Sequence, residues 1–254
     1  MTNLYKTAQV ASIIGIHPNT VRMYEELELI PKAQRLSNGY RVFNDYHIEQ
    51  FKLARTALKV EILQNGLRKK IINIIKLSAK GQFLEAINCT NDYINQVKLE
   101  MENAEEAIDI SKKLLLGINS NETNKVFTRK QTAQYLNVTI DTLRNWEMNS
   151  LLTVKRKENG YRVYTEDDIQ RLKIIRTLRC SNYSLSAILR MISAIDKDNE
   201  IDIREAINTP KEDEEIVTAC DKLLTSLNNA QKNANIMLSQ LKYMNKKFNI
   251  NSTL

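Results

Sequence analysis

One stretch of this chain occurs twice, and the duplication constrains the fold more than any other feature. Residues 7–30, TAQVASIIGIHPNTVRMYEELELI, align without gaps on residues 129–152, RKQTAQYLNVTIDTLRNWEMNSLL. Ala11 pairs with Ala133, Thr20 with Thr142, Arg22 with Arg144, Tyr24 with Trp146 and Glu25 with Glu147. One residue is then dropped, and residues 38–56 align on 159–177 around the identical tetrapeptide NGYR. Each copy is followed by a short amphipathic stretch and then a long one, so the chain is a duplicated unit of roughly 125 residues.

Within a copy the local signals read helix, turn, helix, hairpin, helix. Thr7 is expected to cap a first helix that carries Val10, Ala11 and Ile14 on one face, with Gly15 making the turn after it. A second helix opens near Pro18, where the missing N–H costs nothing. In the second copy Thr139 or Asp141 takes the capping role. Two short helices joined by a tight turn are a helix-turn-helix. Asn38-Gly39 and Asn159-Gly160 then signal hairpins whose turn positions accept positive φ, and these act as wings. Tyr40, Tyr161, Val42 and Val163 are expected to pack the hairpins, leaving Arg41 and Arg162 to bind phosphates.

The charge pattern agrees. The 254 residues carry 37 Lys+Arg against 30 Asp+Glu, a net +7. By stretch, residues 1–80 give +7, 81–125 give −4, 126–195 give +6 and 196–254 give −2. Two basic segments alternating with two acidic ones suit a pair of nucleic-acid readers separated by assembly elements.

Other classes fit poorly. With 6 Gly and 3 Pro, the chain lacks the punctuation of an all-β fold or a glycine-rich nucleotide site. The two histidines, His17 and His47, have no nucleophile elbow or clustered carboxylates to work with, so no catalytic residue is expected. Cys89, Cys180 and Cys220 show neither zinc nor redox spacing, so no metal or cofactor is expected. No apolar run is long enough to span a bilayer and no signal peptide opens the chain, which leads us to expect a cytoplasmic protein without a membrane partner.

Long-range periodicity completes the architecture. Ile94, Val97, Met101, Ala104, Ile108, Ser111 and Leu115 alternate in steps of three and four. So do Ile216, Cys220, Leu223, Leu227, Ala230, Ala234, Met237, Leu241, Met244 and Phe248. Both are heptad seams. The expected fold is mainly α, with two winged helix-turn-helix domains each followed by a long coiled-coil helix, the two helices pairing within the chain. Residues 1–80 form the first winged domain, 81–116 the first coiled-coil region and 117–125 a linker. Residues 126–195 form the second winged domain, and 196–254 a connector and the second coiled-coil helix. The linker can span up to roughly 30 Å. The alternative is that each seam pairs with another chain, giving a coiled-coil homo-oligomer.

Thr20-Val21-Arg22-Met23-Tyr24-Glu25 followed by Asn38 to Phe43, and Thr142-Leu143-Arg144-Asn145-Trp146-Glu147 followed by Asn159 to Tyr164, resemble the MerR family of bacterial transcription regulators. The chain departs from that pattern at Met23 and Asn145, where relatives usually carry an aromatic residue. The resemblance implies binding of double-stranded DNA at a two-part site by winged units held apart by an antiparallel coiled coil. The residues it implicates are His17, Asn19, Thr20, Arg22, Tyr24, Arg35, Asn38, Tyr40 and Arg41 in the first copy. In the second they are Thr139, Thr142, Arg144, Asn145, Trp146, Lys155, Arg156, Lys157, Tyr161 and Arg162. The Asp141 carboxylate is expected to serve as a helix cap rather than as a cytosine reader. The resemblance implies RNA polymerase as a further partner or, in an accessory protein of a plasmid or phage partition system, a filament or centromere complex. Because the two reading helices differ, a chain holding both is expected to read unlike half-sites.

Overall fold

The computed structural model describes residues 3–59, 66–118, 126–156, 160–197, 201–210 and 221–248. Lys157, Asn159, Ile216, Cys220 and linker residues 119–125 lie outside them, as does the side chain of Leu115. The chain divides into two compact units. One comprises residues 1–98 with 227–254, the other residues 99–226.

The first unit opens with β1 (Tyr5–Lys6), α1 (Thr7–Ile14) and α2 (Pro18–Glu26), followed by β2 (Gln34–Arg35), β3 (Arg41–Phe43), α3 (Asp45–Ala57) and α4 (Leu67–Ala79). The long helix α5 (Phe83–Ile118) begins here. The wing is a three-stranded antiparallel sheet, where the sequence suggested a two-stranded hairpin. Its order is β1-β3-β2, with Tyr5 opposite Phe43 and Arg35 opposite Arg41. Because β1 runs directly into α1, the cap of α1 is Lys6, not Thr7. Its N–H donates to Gln9 Oε1 at 2.8 Å.

Gly15 closes α1 at φ 70°. At the wing tip only Gly39 of the Asn-Gly pair takes positive φ, at 80°. The loop therefore differs from the expected two-residue turn. It closes through Leu36 N–H to Tyr40 O at 2.9 Å, and Asn38 Oδ1 accepts from Tyr40 N–H at 3.2 Å.

Apolar side chains of α1, α2, α3 and α4 meet in one core, with Val10, Val21, Phe43, Phe51, Ile71, Ile74 and Ile75 fully buried. Tyr24 stacks on Phe51 at 5.4 Å between ring centres. Gln50, also fully buried, donates to the carbonyls of Leu29 and Ile75, each at 2.9 Å, and accepts from Ser78 Oγ at 2.7 Å. A buried amide satisfied in this way ties α3 to α4 and to the chain leaving α2 without a desolvation penalty.

The second unit repeats the plan with β4 (Phe127–Thr128), α6 (Arg129–Leu136), α7 (Ile140–Met148), β5 (Lys155–Arg156), β6 (Arg162–Tyr164), α8 (Glu166–Cys180) and α9 (Leu185–Ile195). Its sheet order, β4-β6-β5, matches the first. Asn137, at φ 50°, stands where Gly15 stands, since Asn tolerates the left-handed region better than other residues with a side chain. Glu28 and Ser150 also occupy one repeat position, and both adopt φ near 60° at the end of the second helix. Backbone strain as well as hydrogen bonding has thus been duplicated.

In the connector, α10 (Ile203–Asn208) is held by Arg190, which is 7% exposed and donates to the carbonyls of Ala206, Ile207 and Asp221.

The last helix, α11 (Leu223–Phe248), lies mostly in the first unit. Gln240 donates to Glu49 O at 2.9 Å, and the Tyr46 and Phe248 rings are 5.2 Å apart. Most described positions of the two heptad seams are buried, with Met101 and Phe248 half-buried. Val97, Ala104, Ile108 and Ser111 of α5 are buried, as are Leu227, Ala230, Ala234, Met237, Leu241 and Met244 of α11. Cys89 lies within the first long helix, α5. No helix among the described residues is long and apolar enough to cross a membrane.

Candidate nucleic-acid interface

In both copies the exposed face of the second helix carries an arginine near a polar N-terminal turn. His17 caps α2, its Nδ1 accepting from Asn19 N–H at 3.1 Å. Thr139 caps α7, accepting from Thr142 N–H at 3.0 Å, with the two threonine hydroxyls 2.8 Å apart. Asp141 is therefore not the cap. One turn on, Arg22 Nη1 donates to Asn19 Oδ1 at 3.4 Å and Arg144 Nη1 to Asp141 Oδ1 at 3.1 Å. Asn145 is exposed, while Thr20 and Thr142 are half-buried.

Tyr24 and Trp146 do not belong to this surface. Each is 4% exposed and faces inward from its helix. Their large apolar area stabilises the core, although Trp146 also lines an open cavity beside α7. The aromatic of the arginine-x-aromatic-glutamate motif is a packing residue in both copies.

The wing side chains face differently from the packing expected of the hairpins. Tyr40 and Tyr161, expected to pack, are 72% and 73% exposed at the wing tips. Arg41 and Arg162, expected to reach outward, turn back toward the glutamate of the preceding helix. Arg41 Nε meets Glu25 Oε2 at 2.5 Å, and Arg162 Nε meets Glu147 Oε2 at 2.6 Å. The carboxylates are only about a tenth exposed. Each pair clamps the wing to the reading helix through a charge-assisted hydrogen bond. Glu25 also accepts from Ala33 N–H at 3.0 Å.

In the second copy the clamp is larger. Arg129 Nη2 donates to both oxygens of Glu147, at 3.0 and 2.8 Å, and the Tyr164 hydroxyl donates to Oε1 at 2.5 Å. Burial, then the bond to Glu147, pushes the Tyr164 hydroxyl up to about 12. Thr7 and Phe43 hold these two positions in the first copy and supply neither group. Arg129 and Tyr164 were missed by inspection of the sequence. The signal was the paired change from Thr7 and Phe43.

Arg35, Lys155 and Arg156 are exposed on the outer wing strands. Arg35 Nη1 also reaches Gly39 O at 3.3 Å. Asn38 is exposed too, although its side-chain oxygen is engaged in the turn.

Beside α7, an open cavity is lined by Thr139, Thr142, Asn145, Arg176 and Arg179. The two arginines come from the end of α8, far from the motif in sequence. Arg179 Nη1 donates to Tyr183 O at 2.5 Å, which orders the turn into α9. The side chains available for contact thus combine guanidinium groups, amides, hydroxyls and exposed aromatic rings, a set suited to phosphates and base edges. Among the described residues no group of His, Cys, Asp and Glu could hold a metal ion.

Comparison with known proteins gives matches in both copies. The model for MerR HTH family regulatory proteins matches residues 127–195, and that for MerR family regulatory proteins matches residues 6–43. The chain is 41% identical over 64 residues to the HTH-type transcriptional regulator ZntR of Escherichia coli (strain K12), covering 25% of this chain and 45% of that protein. It is 36% identical over 53 residues to the HTH-type transcriptional regulator CueR of Escherichia coli O6:H1, covering 21% of this chain and 39% of that protein. The chain thus spans less than half the length of the curated relatives it matches. No solved structure matches it significantly.

Proposed function

This is a MerR-family chain with a helix-turn-helix module in each half, and we propose that it is a transcriptional regulator that reads a two-part DNA site as an intrachain pseudo-dimer. The observation that carries this reading is the repeated surface. Arg22 and Arg144 stand on the exposed faces of α2 and α7, each in a module whose wing presents a tyrosine and basic residues. The second helix of a helix-turn-helix enters the major groove with its N-terminal residues at the base edges, which assigns base contact to Asn19, Arg22, Arg144 and Asn145. His17, Thr20, Thr139 and Thr142 shape that turn. Tyr40, Arg35, Tyr161, Lys155 and Arg156 meet the phosphate backbone, as does Lys157 by its place in the sequence. Arg41 and Arg162 act mainly by holding the wings through Glu25 and Glu147.

One finding within a single unit supports the intrachain arrangement: helix α11, which follows the second module in the chain, packs with the first module through Gln240 and Phe248. The protein acts in the cytoplasm, without catalysis, through double-stranded DNA. The test is selection of genomic fragments by the purified chain at two salt concentrations, followed by sequencing. A two-part motif with unequal halves, bound less tightly at higher salt, is the expected result. Salt-insensitive binding with no enriched sequence would refute DNA reading and redirect the search to a protein partner.

A further inference from the structure

We infer that Asp141 is a specificity-determining residue, one that makes the second half-site select a cytosine beside a guanine while the first half-site prefers adenine at the corresponding position. The inference rests on the DNA-reading function proposed above and deepens it. Asn19 and Asp141 are the second residues of α2 and α7, so the repeat sets an amide against a carboxylate at one place on the reading surface.

Three observations give Asp141 this role. The capping task belongs to Thr139, whose hydroxyl accepts the Thr142 N–H, so the carboxylate is not needed by the helix backbone. The Asp141 side chain is 85% exposed and that of its partner Arg144 is 56% exposed, so both stand out on the helix face. Finally, the single bond from Arg144 Nη1 to Asp141 Oδ1 occupies one oxygen and one nitrogen. The other carboxylate oxygen, Nη2 and Nε have no partner among the described residues.

A carboxylate can only accept. In the major groove, cytosine offers the N4 amino donor without an adjacent acceptor. Adenine sets N7 beside its donor, and guanine and thymine present acceptors to the same approach. An exposed carboxylate is therefore repelled by phosphates and by most base edges, and tolerated best at cytosine. Asn19 carries both a donor and an acceptor and matches adenine N6 and N7.

The same ion pair sets Arg144. A guanidinium restrained by a carboxylate at 3.1 Å is held more firmly than Arg22, whose partner is a neutral amide at 3.4 Å. Its open edge can donate two parallel hydrogen bonds to guanine N7 and O6. Side chains three apart on a helix lie roughly 5–6 Å from each other, close enough to address neighbouring base pairs.

The experiment is selection from a randomised two-part duplex library by the full chain and by the variants Asp141→Asn, Asn19→Asp and Arg144→Lys. Thermal melts establish that these surface changes leave folding intact. The expected result is that Asp141→Asn lowers the cytosine preference roughly tenfold, at one position of one half-site, and shifts it toward adenine. Asn19→Asp gains cytosine at the matching position of the other half, and Arg144→Lys loses the neighbouring guanine while the salt dependence stays the same. Unchanged base preference in Asp141→Asn, with affinity raised evenly for all sequences, would overturn the inference and leave the DNA-reading function standing. A wild-type chain that enriches no sequence would overturn both.

Discussion

Replacing Glu147 by glutamine keeps the shape of the second clamp and removes its charge. The carboxylate faces Arg129 and Arg162 and accepts from the Tyr164 hydroxyl. It is 10% exposed, and the arginines are 20% and 31% exposed. Breaking a fully buried ion pair costs about 3–5 kcal/mol, and losing a hydrogen bond to a charged group about 1.5–3 kcal/mol. With partial solvent access at both arginines, Glu147→Gln should destabilise by about 3 kcal/mol. In the first clamp one arginine and one amide meet Glu25, so Glu25→Gln should cost about 2 kcal/mol. Equilibrium urea unfolding measures both through the shift in midpoint at constant slope. A double-mutant cycle with Arg162→Gln should return a coupling of about 1.5 kcal/mol. Destabilisation below about 0.5 kcal/mol, or coupling indistinguishable from zero, would show that the wing is held by packing alone.

Arg22→Ala and Arg144→Ala should each weaken DNA binding and lower the salt slope by about one where a phosphate contact is lost, with stability unchanged because both side chains are exposed; titrations at several salt concentrations measure this. Tyr40→Ala and Tyr161→Ala should reduce affinity with little sequence dependence and alter stability by less than about 0.5 kcal/mol, and a larger loss of stability would restore these residues to the core. Burial holds the His47 imidazole below its ordinary pKa. The unfolded chain therefore binds the extra proton more readily, and the contribution of His47, complete above the unfolded value of 6.5, is lost as pH falls through the lower folded value. His47→Gln keeps a residue able to complete the Asn44 capping box and should flatten the decline in stability between pH 7 and 5 in urea titrations.

Where local chemistry sets structure, the chain could be read directly. The helix-turn-helix pairs followed from Gly15, Pro18 and the Thr139 cap, although Lys6 and not Thr7 caps α1, and the long helices followed from seams whose described positions are mostly buried. The wing was harder, because a two-residue strand such as Tyr5–Lys6 has no periodicity to detect and joins its sheet only by pairing with Phe43 and Val42. The alternating pattern around NGYR placed one aromatic and one arginine at the wing but could not say which faces inward. That choice belongs to Glu25 and Glu147, which attract the arginines and leave the tyrosines in solvent. Tyr24 and Trp146 illustrate the same limit, since a motif position is visible in sequence while the face it occupies depends on Phe51 and the rest of the core. Arg176 and Arg179 reach the α7 surface only through the packing of α8, a tertiary effect with no local signature.

The most direct test of a single chain reading two half-sites is the mass of the complex on a selected duplex, measured by native mass spectrometry together with duplexes in which either half is scrambled. One chain per duplex, with each scrambled half weakening binding, is the predicted result. Two chains per duplex, or affinity indifferent to the loss of one half, would contradict it.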